Sequence, residues 1–340
     1  MKNQKTVLVT GSSGFIGSHI VIQLLEKGYA VRGTVRSLDR TDSMKQMISY
    51  KAKIDDLSFV ECDLTSDNGW DDAMQGIDYV LHIASPIPRT SPKDPNDLII
   101  PATEGALRAV KAAEKAGVER FVMTASTACI VYGYGNTGKT FTEADWSDPD
   151  GNDNTSYTRS KTIAEKTVRE YIASRESQMS FCTIHPGAVL GPVLEKDYGT
   201  SAEIVLKLLK GDFPGIPKMG FPLVDVRDVA DLHIKAMEAE NVDGERFLCA
   251  NDFMWIGEIA DVLRQSHPQF ANKLPTMKLA NWMVKLAALF DPVTASVLNE
   301  LGIRRDCDSS KSKNILNWNP RSNEEAIKAT ADSLIKQGLV

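Results

Sequence analysis

Tyr157 and Lys161 stand four residues apart in the segment Ser156-Tyr157-Thr158-Arg159-Ser160-Lys161. On a helix that spacing puts a phenol and an ammonium on one face, one turn apart. A free tyrosine ionises near ~10, and a neighbouring cation stabilises the phenolate and lowers that value toward working pH. Such a phenol can deliver a proton to a carbonyl oxygen as hydride arrives at the carbon. Ser126 ends the run Val122-Met123-Thr124-Ala125-Ser126. Its hydroxyl can hold the substrate oxygen beside the phenol. It can also cap a turn, with Thr127 filling the first role. A Tyr-x-x-x-Lys pair is common on exposed helices, so its weight depends on what surrounds it.

What surrounds it begins at Val7-Leu8-Val9-Thr10-Gly11-Ser12-Ser13-Gly14-Phe15-Ile16-Gly17, which reads as strand, tight turn and helix with glycines three apart. Gly11 permits the turn, Gly14 lets the backbone approach a pyrophosphate, and Gly17 lets helix and strand pack closely. Gly11, Ser13, Gly14, Phe15, Ile16 and Gly17 are the expected phosphate site, because a helix N-terminus offers free N–H groups and a positive dipole end. The next strand, Ala30–Arg36, ends in Arg36 about 20 residues after the last glycine, where an acid would hold the ribose of NAD. A cation there attracts a 2′-phosphate, which points to NADP(H), with Arg40 as a weaker second candidate. Asp63, after the third strand, either accepts from the adenine amino group or caps a turn.

These residues need a sheet to carry them. Short β-branched runs at Thr6–Thr10, Ala30–Val35, Leu57–Cys62, Tyr79–Ala84, Arg120–Ala125 and Phe181–His185 alternate with helical patterns at 16–27, 41–53, 70–74, 101–116 and 157–173. That rhythm predicts an α/β fold, a doubly wound parallel sheet of Rossmann type with ligands at the carboxyl ends of its strands. The dinucleotide-binding domain is placed at 1–190. Residues 191–340 are read as a smaller α+β substrate lobe, some segments of which return to the first sheet. There, helices are expected near 201–210, 229–239, 256–265, 279–290 and 324–336, and strands near 223–226 and 246–249. The proline-rich stretch 85–95 can be neither helix nor central strand, and is expected as a loop at a strand's carboxyl end. With Tyr132, Phe213, Met219 and Phe221, the Pro86–Pro95 part of that loop is a candidate pocket lining. Asp228 is read as an N-cap with Arg227 paired nearby. Trp282, Met283 and Leu286 fall at helical spacing and read as core or interface.

The chain has 340 residues, 42% of them hydrophobic, enough for a full core and a second substructure. A net charge of -6 without a basic cluster argues against nucleic acid or an anionic membrane as main partner. The five cysteines are widely spaced, never form Cys-x-x-Cys, and have no histidine at metal-ligand spacing. They read as reduced, mostly buried thiols; no metal is expected, and neither is a signal or membrane-spanning segment. A cytoplasmic protein is expected, monomer or homodimer, acting on a small-molecule carbonyl substrate.

Taken in order, Thr10-Gly11-x-x-Gly14-x-x-Gly17, Asp63-Leu64, His82-x-Ala84-x-Pro86, Ser126, Tyr157-x-x-x-Lys161 and His185-Pro186-Gly187 resemble the landmarks of the short-chain dehydrogenase/reductase superfamily, extended branch. Residues 221–230 and Asn317-Trp318-Asn319-Pro320 are similar to C-terminal landmarks of its dihydroflavonol reductase-like group, so the resemblance covers nearly the whole chain. It implies a catalytic triad of Ser126, Tyr157 and Lys161, with Lys161 also holding the nicotinamide ribose. It further implies that Ala84 and Pro186 border the nicotinamide, and the matching Asp63 and Leu64 are counted among the cofactor-binding residues. Two departures bear on substrate. Val131 stands where plant flavonoid reductases carry an Asn, and the Asn-Trp-Tyr-Cys-Tyr-type signature of cinnamoyl-CoA reductases is absent around Tyr157. The expectation is NADPH-dependent reduction of an aldehyde or ketone. The alternatives are an NAD-dependent sugar-nucleotide epimerase or dehydratase, and a non-catalytic NADPH-sensing protein.

Overall fold

The computed structural model describes residues 4–87, 92–195, 198–290 and 297–340. Its first half alternates strand and helix: β1 (Thr6–Thr10), α1 (Phe15–Glu26), β2 (Ala30–Val35), α2 (Thr41–Ser49), β3 (Leu57–Glu61), α3 (Trp70–Met74), β4 (Tyr79–His82), α4 (Asn96–Lys115), β5 (Arg120–Thr124), β6 (Thr140–Phe141), α5 (Ser156–Ala173) and β7 (Ser180–Pro186). The second half runs β8 (Ala188–Leu190), α6 (Thr200–Lys210), β9 (Gly220–Asp225), α7 (Val226–Glu238), β10 (Arg246–Cys249), β11 (Phe253–Trp255), α8 (Ile256–Ser266), α9 (Asn281–Ala287), β12 (Asp306–Cys307), α10 (Ser310–Leu316) and α11 (Asn323–Lys336).

Seven strands form one parallel sheet in the order β3-β2-β1-β4-β5-β7-β10. Because helices cover both faces, its strands are continuously apolar: Val7, Leu8 and Val9 are all fully buried. Val7 and Val9 point to the layer of α1 and α7, with Ile20, Leu24 and Val229, while Leu8 faces Val110, Phe121 and Val168 in the layer of α4 and α5. The chain runs outward from β1 to β3 and then crosses back to β4. A crevice therefore opens between the carboxyl ends of β1 and β4, where Thr10 is in register with His82.

A three-stranded sheet, β8-β9-β11, builds the lobe with α6, α8 and α11 around a second core that includes Leu206, Leu223, Ile259 and Ile327. β10 lies outside it, at the edge of the large sheet beside β7.

Several elements differ from the sequence expectation. α4 starts at Asn96 and carries Pro101 within it, giving up one backbone bond. β8, β11, α10 and the short β6–β12 pair carry no periodic signal long enough to read. Asp225, not Asp228, is the N-cap of α7: it accepts from the Arg227 amide (2.9 Å) and pairs with the Arg227 guanidinium (2.6 Å). β9 feeds directly into that helix, so the cap falls on the strand's last residue. Asp228 lies in the first turn and binds Arg321 through its amide (2.7 Å) and its guanidinium. Trp282, Met283 and Leu286 are not core, since α9 buries only Val284. No helix among the described residues is long and apolar enough to cross a membrane.

Candidate active site

Gly11 has φ 63°, a left-handed conformation that favours glycine, and its carbonyl receives the Gly14 amide at 3.0 Å. A Cβ on Gly17 would overlap that same carbonyl, so the third glycine is required by the turn itself. Gly33 on β2 has a matching role that was not legible in sequence: a Cβ there would sit 2.5 Å from the Ser12 hydroxyl. Gly14 is the N-cap of α1 and no side chain caps the helix. The first amides of α1 are left for a ligand, and the glycine cradle fits a pyrophosphate.

Thr10 ties this turn to the next strand. Its hydroxyl oxygen accepts from the amides of Ile83 and Ala84, both at 3.0 Å, and lies 3.0 Å from Nδ1 of His82. With two amides aimed at its oxygen, the hydroxyl proton goes to Nδ1, so neutral His82 carries its own proton on Nε2. Burial, then the Lys161 charge, pushes the His82 pKa down to about 3. Ala84 is thereby fixed against the turn, its Cα 3.0 Å from where a Gly11 Cβ would stand.

Arg36 is exposed at the end of β2. Asp63 sits within its electrostatic reach and makes a local turn, its Oδ1 accepting from the Thr65 amide (2.7 Å) and hydroxyl (2.6 Å). Those two bonds foremost, and the Arg36 charge in addition, outweigh burial and lower its pKa. Asp63 thus caps a turn, one of its two expected roles. Arg40 is paired through Nη2 with Glu195 at 2.7 Å, which links it to the segment after β8. Leu64 packs against Gly105, and its carbonyl accepts from Arg108 at 2.9 Å.

At the other end of the crevice Ser126 leaves β5 in an extended conformation, and its Oγ accepts from the Ala128 amide at 3.1 Å. It therefore does cap a turn, and it lies close enough to the Tyr157 hydroxyl to favour the phenolate. Thr127 is buried in the turn. Thr155 caps α5, accepting from the Thr158 amide (3.2 Å) while its own amide donates to the Thr158 hydroxyl (2.8 Å). This capping box holds Tyr157 in the first turn and Lys161 one turn on. Burial raises the Tyr157 pKa, the reverse of the lowering expected from a lysine neighbour, because desolvation outweighs the opposing Ser126 hydroxyl. Lys161 is buried, and desolvation pushes its pKa down to about 8 against the pull of Cys129 and Glu165. Ser126 and Tyr157, 31 residues apart in sequence, are brought near each other, and Lys161 lies one helical turn beyond Tyr157.

Behind Lys161, one further turn along α5, lies a fully buried carboxylate, Glu165. Its Oε1 accepts from Arg169 Nε, Arg246 Nε and the Thr183 hydroxyl, each at 3.0 Å. Burial favours its neutral form, but His185, Arg246 and Arg169 hold its pKa well below the carboxylate range. His185 Nδ1 lies 3.1 Å from the Ser126 carbonyl, which it fixes from beneath. Cys129, Glu165 and His185 cluster closely enough for a metal, yet the two guanidiniums already on the carboxylate oppose a cation. Glu165 and Arg246 escaped the sequence reading because 81 residues separate them.

Pro186 ends β7, buried. Val131 is buried in a small apolar cluster with Ile130, Phe141 and Leu248. Phe213, Met219 and Phe221 belong to the lobe core, and Tyr132 is bonded to Glu300 at 2.9 Å. Residues 88–91 of the expected pocket loop lie outside the described residues.

Fold and site together define an extended short-chain dehydrogenase/reductase. The model of the NAD dependent epimerase/dehydratase family matches residues 7–250, and the chain belongs to that family. It is 33% identical over 271 residues to cinnamoyl-CoA reductase 1 of Petunia hybrida, covering 78% of each chain. To dihydroflavonol 4-reductase of Callistephus chinensis it is 31% identical over 272 residues, covering 78% of this chain and 74% of the relative. Among solved structures it is similar to the yeast methylglyoxal/isovaleraldehyde reductase Gre2 complexed with NADPH, with a TM-score of 0.81 at 26% identity over 98% of this chain and 100% of that one. The NADPH complex of Gre2 from Candida albicans gives 0.82 at 28% identity, over 98% and 99%.

Proposed function

We propose that the protein is an NADPH-dependent reductase of aldehyde or ketone carbonyls in which Tyr157 is the acid. The observation that carries this reading is the meeting of the Ser126 and Tyr157 hydroxyls beside buried Lys161, on the same crevice as an uncapped glycine turn. The reductase relatives and the NADPH complexes of Gre2 support it.

When bound, the reduced nicotinamide supplies hydride to the carbonyl carbon. Ser126 orients the carbonyl oxygen, and Tyr157, which burial keeps protonated, donates its proton to that oxygen. Lys161 stabilises the phenolate left behind, and its desolvation strengthens that effect. Lys161 also holds the nicotinamide ribose, with Ala84 and Pro186 bordering the ring. The amide of Ser13 in the turn and those of Phe15 and Ile16 at the start of α1 would receive the pyrophosphate, Arg36 the 2′-phosphate with Arg40 beside it, and Asp63 and Leu64 the adenine.

The test is NADPH consumption against aliphatic aldehydes, aryl ketones, 2-ketoesters and diketones, repeated with NADH. Turnover of at least one class with NADPH in preference to NADH is the expected result. Stoichiometric NAD retained through purification, with no carbonyl-dependent oxidation of NADPH, would overturn it in favour of epimerase chemistry.

A further inference from the structure

The loop between β5 and α5 carries Ser126 at one end and Tyr157 at the other, and a piece of the C-terminal chain is pinned to both of its arms. Arg305, 2% exposed, donates from Nη1 to Glu300 Oε2 (2.6 Å) and from Nη2 to Asp153 Oδ2 (3.0 Å). Asp153 lies four residues before Tyr157 and accepts from the amides of Gly133 (2.6 Å) and Gly135 (3.2 Å). Glu300 in turn accepts from the hydroxyl of Tyr132, six residues after Ser126, whose ring lies 4.2 Å beneath the Arg305 guanidinium carbon. Asn299 adds a bond from its side chain to the Asn154 carbonyl at 3.1 Å. Asp153 and Glu300 are buried as well.

We infer that Arg305 is a positioning residue for the reduction proposed above: one guanidinium fixes the arm that follows Ser126 and the arm that leads into Tyr157 to the same point of the C-terminal chain. Two segments of one loop, already joined to each other through Asp153 and the Gly133 and Gly135 amides, are then both anchored to a group outside the loop. A planar fork with fixed donor directions suits this, because it spans two carboxylates at once where an ammonium acts as a point charge. Without Arg305, Asp153 and Glu300 are two buried carboxylates with no cation between them, and the loop loses its anchor on the C-terminal chain.

The inference rests on the carbonyl-reductase reading, so wild type and Arg305→Met are compared in turnover, in NADPH titration and in amide hydrogen exchange. For Arg305→Met the expectation is a fall in kcat of tenfold or more per NADPH-binding site, little change in NADPH affinity, and faster exchange in the 127–135 and 150–157 segments than in α1. Arg305→Lys should recover part of the loss. A kcat that falls only in proportion to the count of NADPH-binding sites, or exchange that rises equally everywhere, would overturn the inference. Tyr132→Phe removes one bond and keeps the ring; it should lower kcat two- to fivefold even if Arg305→Met does not fold, and unchanged kcat in it would be equally fatal. A wild type that turns over no carbonyl sinks the functional reading and this inference together. Normal wild-type turnover with an unaffected Arg305→Met sinks only the inference.

Discussion

The two ends of the crevice are built by opposite means. At the phosphate end the working groups are backbone amides, exposed by the absence of side chains at Gly11, Gly14 and Gly17. At the reactive end they are side chains, Ser126, Tyr157 and Lys161, and burial biases the protonation of the last two. The first end is a matter of shape, which any added atom spoils. The second is a matter of electrostatics, which a single deleted atom spoils while leaving shape intact. Thr10 joins them, since one hydroxyl serves the Ile83 and Ala84 amides just past β4 and the ring of His82.

That contrast is broken most directly by Tyr157→Phe, which removes one oxygen. Turnover should fall by about 10²–10⁴-fold, the usual worth of a positioned acid, with NADPH titration unchanged; retained turnover would remove Tyr157 as the acid. Gly17→Val is the converse. Its side chain would overlap the Gly11 carbonyl, so NADPH affinity should drop beyond tenfold, accompanied by destabilisation of roughly 1–3 kcal/mol from overpacking. Normal affinity in that variant would show that the turn relaxes and that shape does not govern this end.

A smaller, graded effect should follow pH. The Lys161 pKa is lowered in the fold to about 8 from an ordinary 10.5, so above about 8 the native site loses its ammonium while the unfolded chain still holds the proton. kcat/KM for reduction should therefore decline about tenfold per pH unit above that value. Between about 8 and 10.5 the unfolded state binds more protons, and this group makes stability rise with pH. A flat kcat/KM profile to pH 9.5 would place the required cation elsewhere. Least drastic is Arg36→Ala, in which the preference for NADPH over NADH should shrink by about tenfold, or ~1.4 kcal/mol. An unchanged ratio would show that Arg36, exposed as it is, does not meet the 2′-phosphate.

The same contrast explains what could be read from sequence. Glycine spacing is a local signature of a local shape, and Tyr157 and Lys161 lie on one helical turn, so both ends declared themselves. Six of the seven large-sheet strands were legible from apolar runs with β-branched residues, as burial on both faces favours, while β10, Arg246-Phe247-Leu248-Cys249, has none. What stayed hidden depends on partners far along the chain: Glu165 with Arg246, Gly33 against Ser12, and Arg305 between Asp153 and Glu300. Asp228 was a misleading cap because two aspartates, Asp225 and Asp228, flank Arg227 at the helix start, and only the abrupt end of β9 selects Asp225. The helical spacing of Trp282, Met283 and Leu286 said nothing of what α9 would pack on, and most of that helix is left outside.

β7 and β8 are separated by Gly187 alone, yet they belong to different sheets, and a Cβ at Gly187 would strike the Pro222 carbonyl on β9. β10 then returns to the large sheet, and β11 leaves it again. The polypeptide is laced between its two sheets and not hung from one to the other by a linker. Neither part should be obtainable as a separate fragment or exchanged as a cassette between relatives. Change in substrate preference across such a scaffold has to proceed residue by residue along the stitched seam.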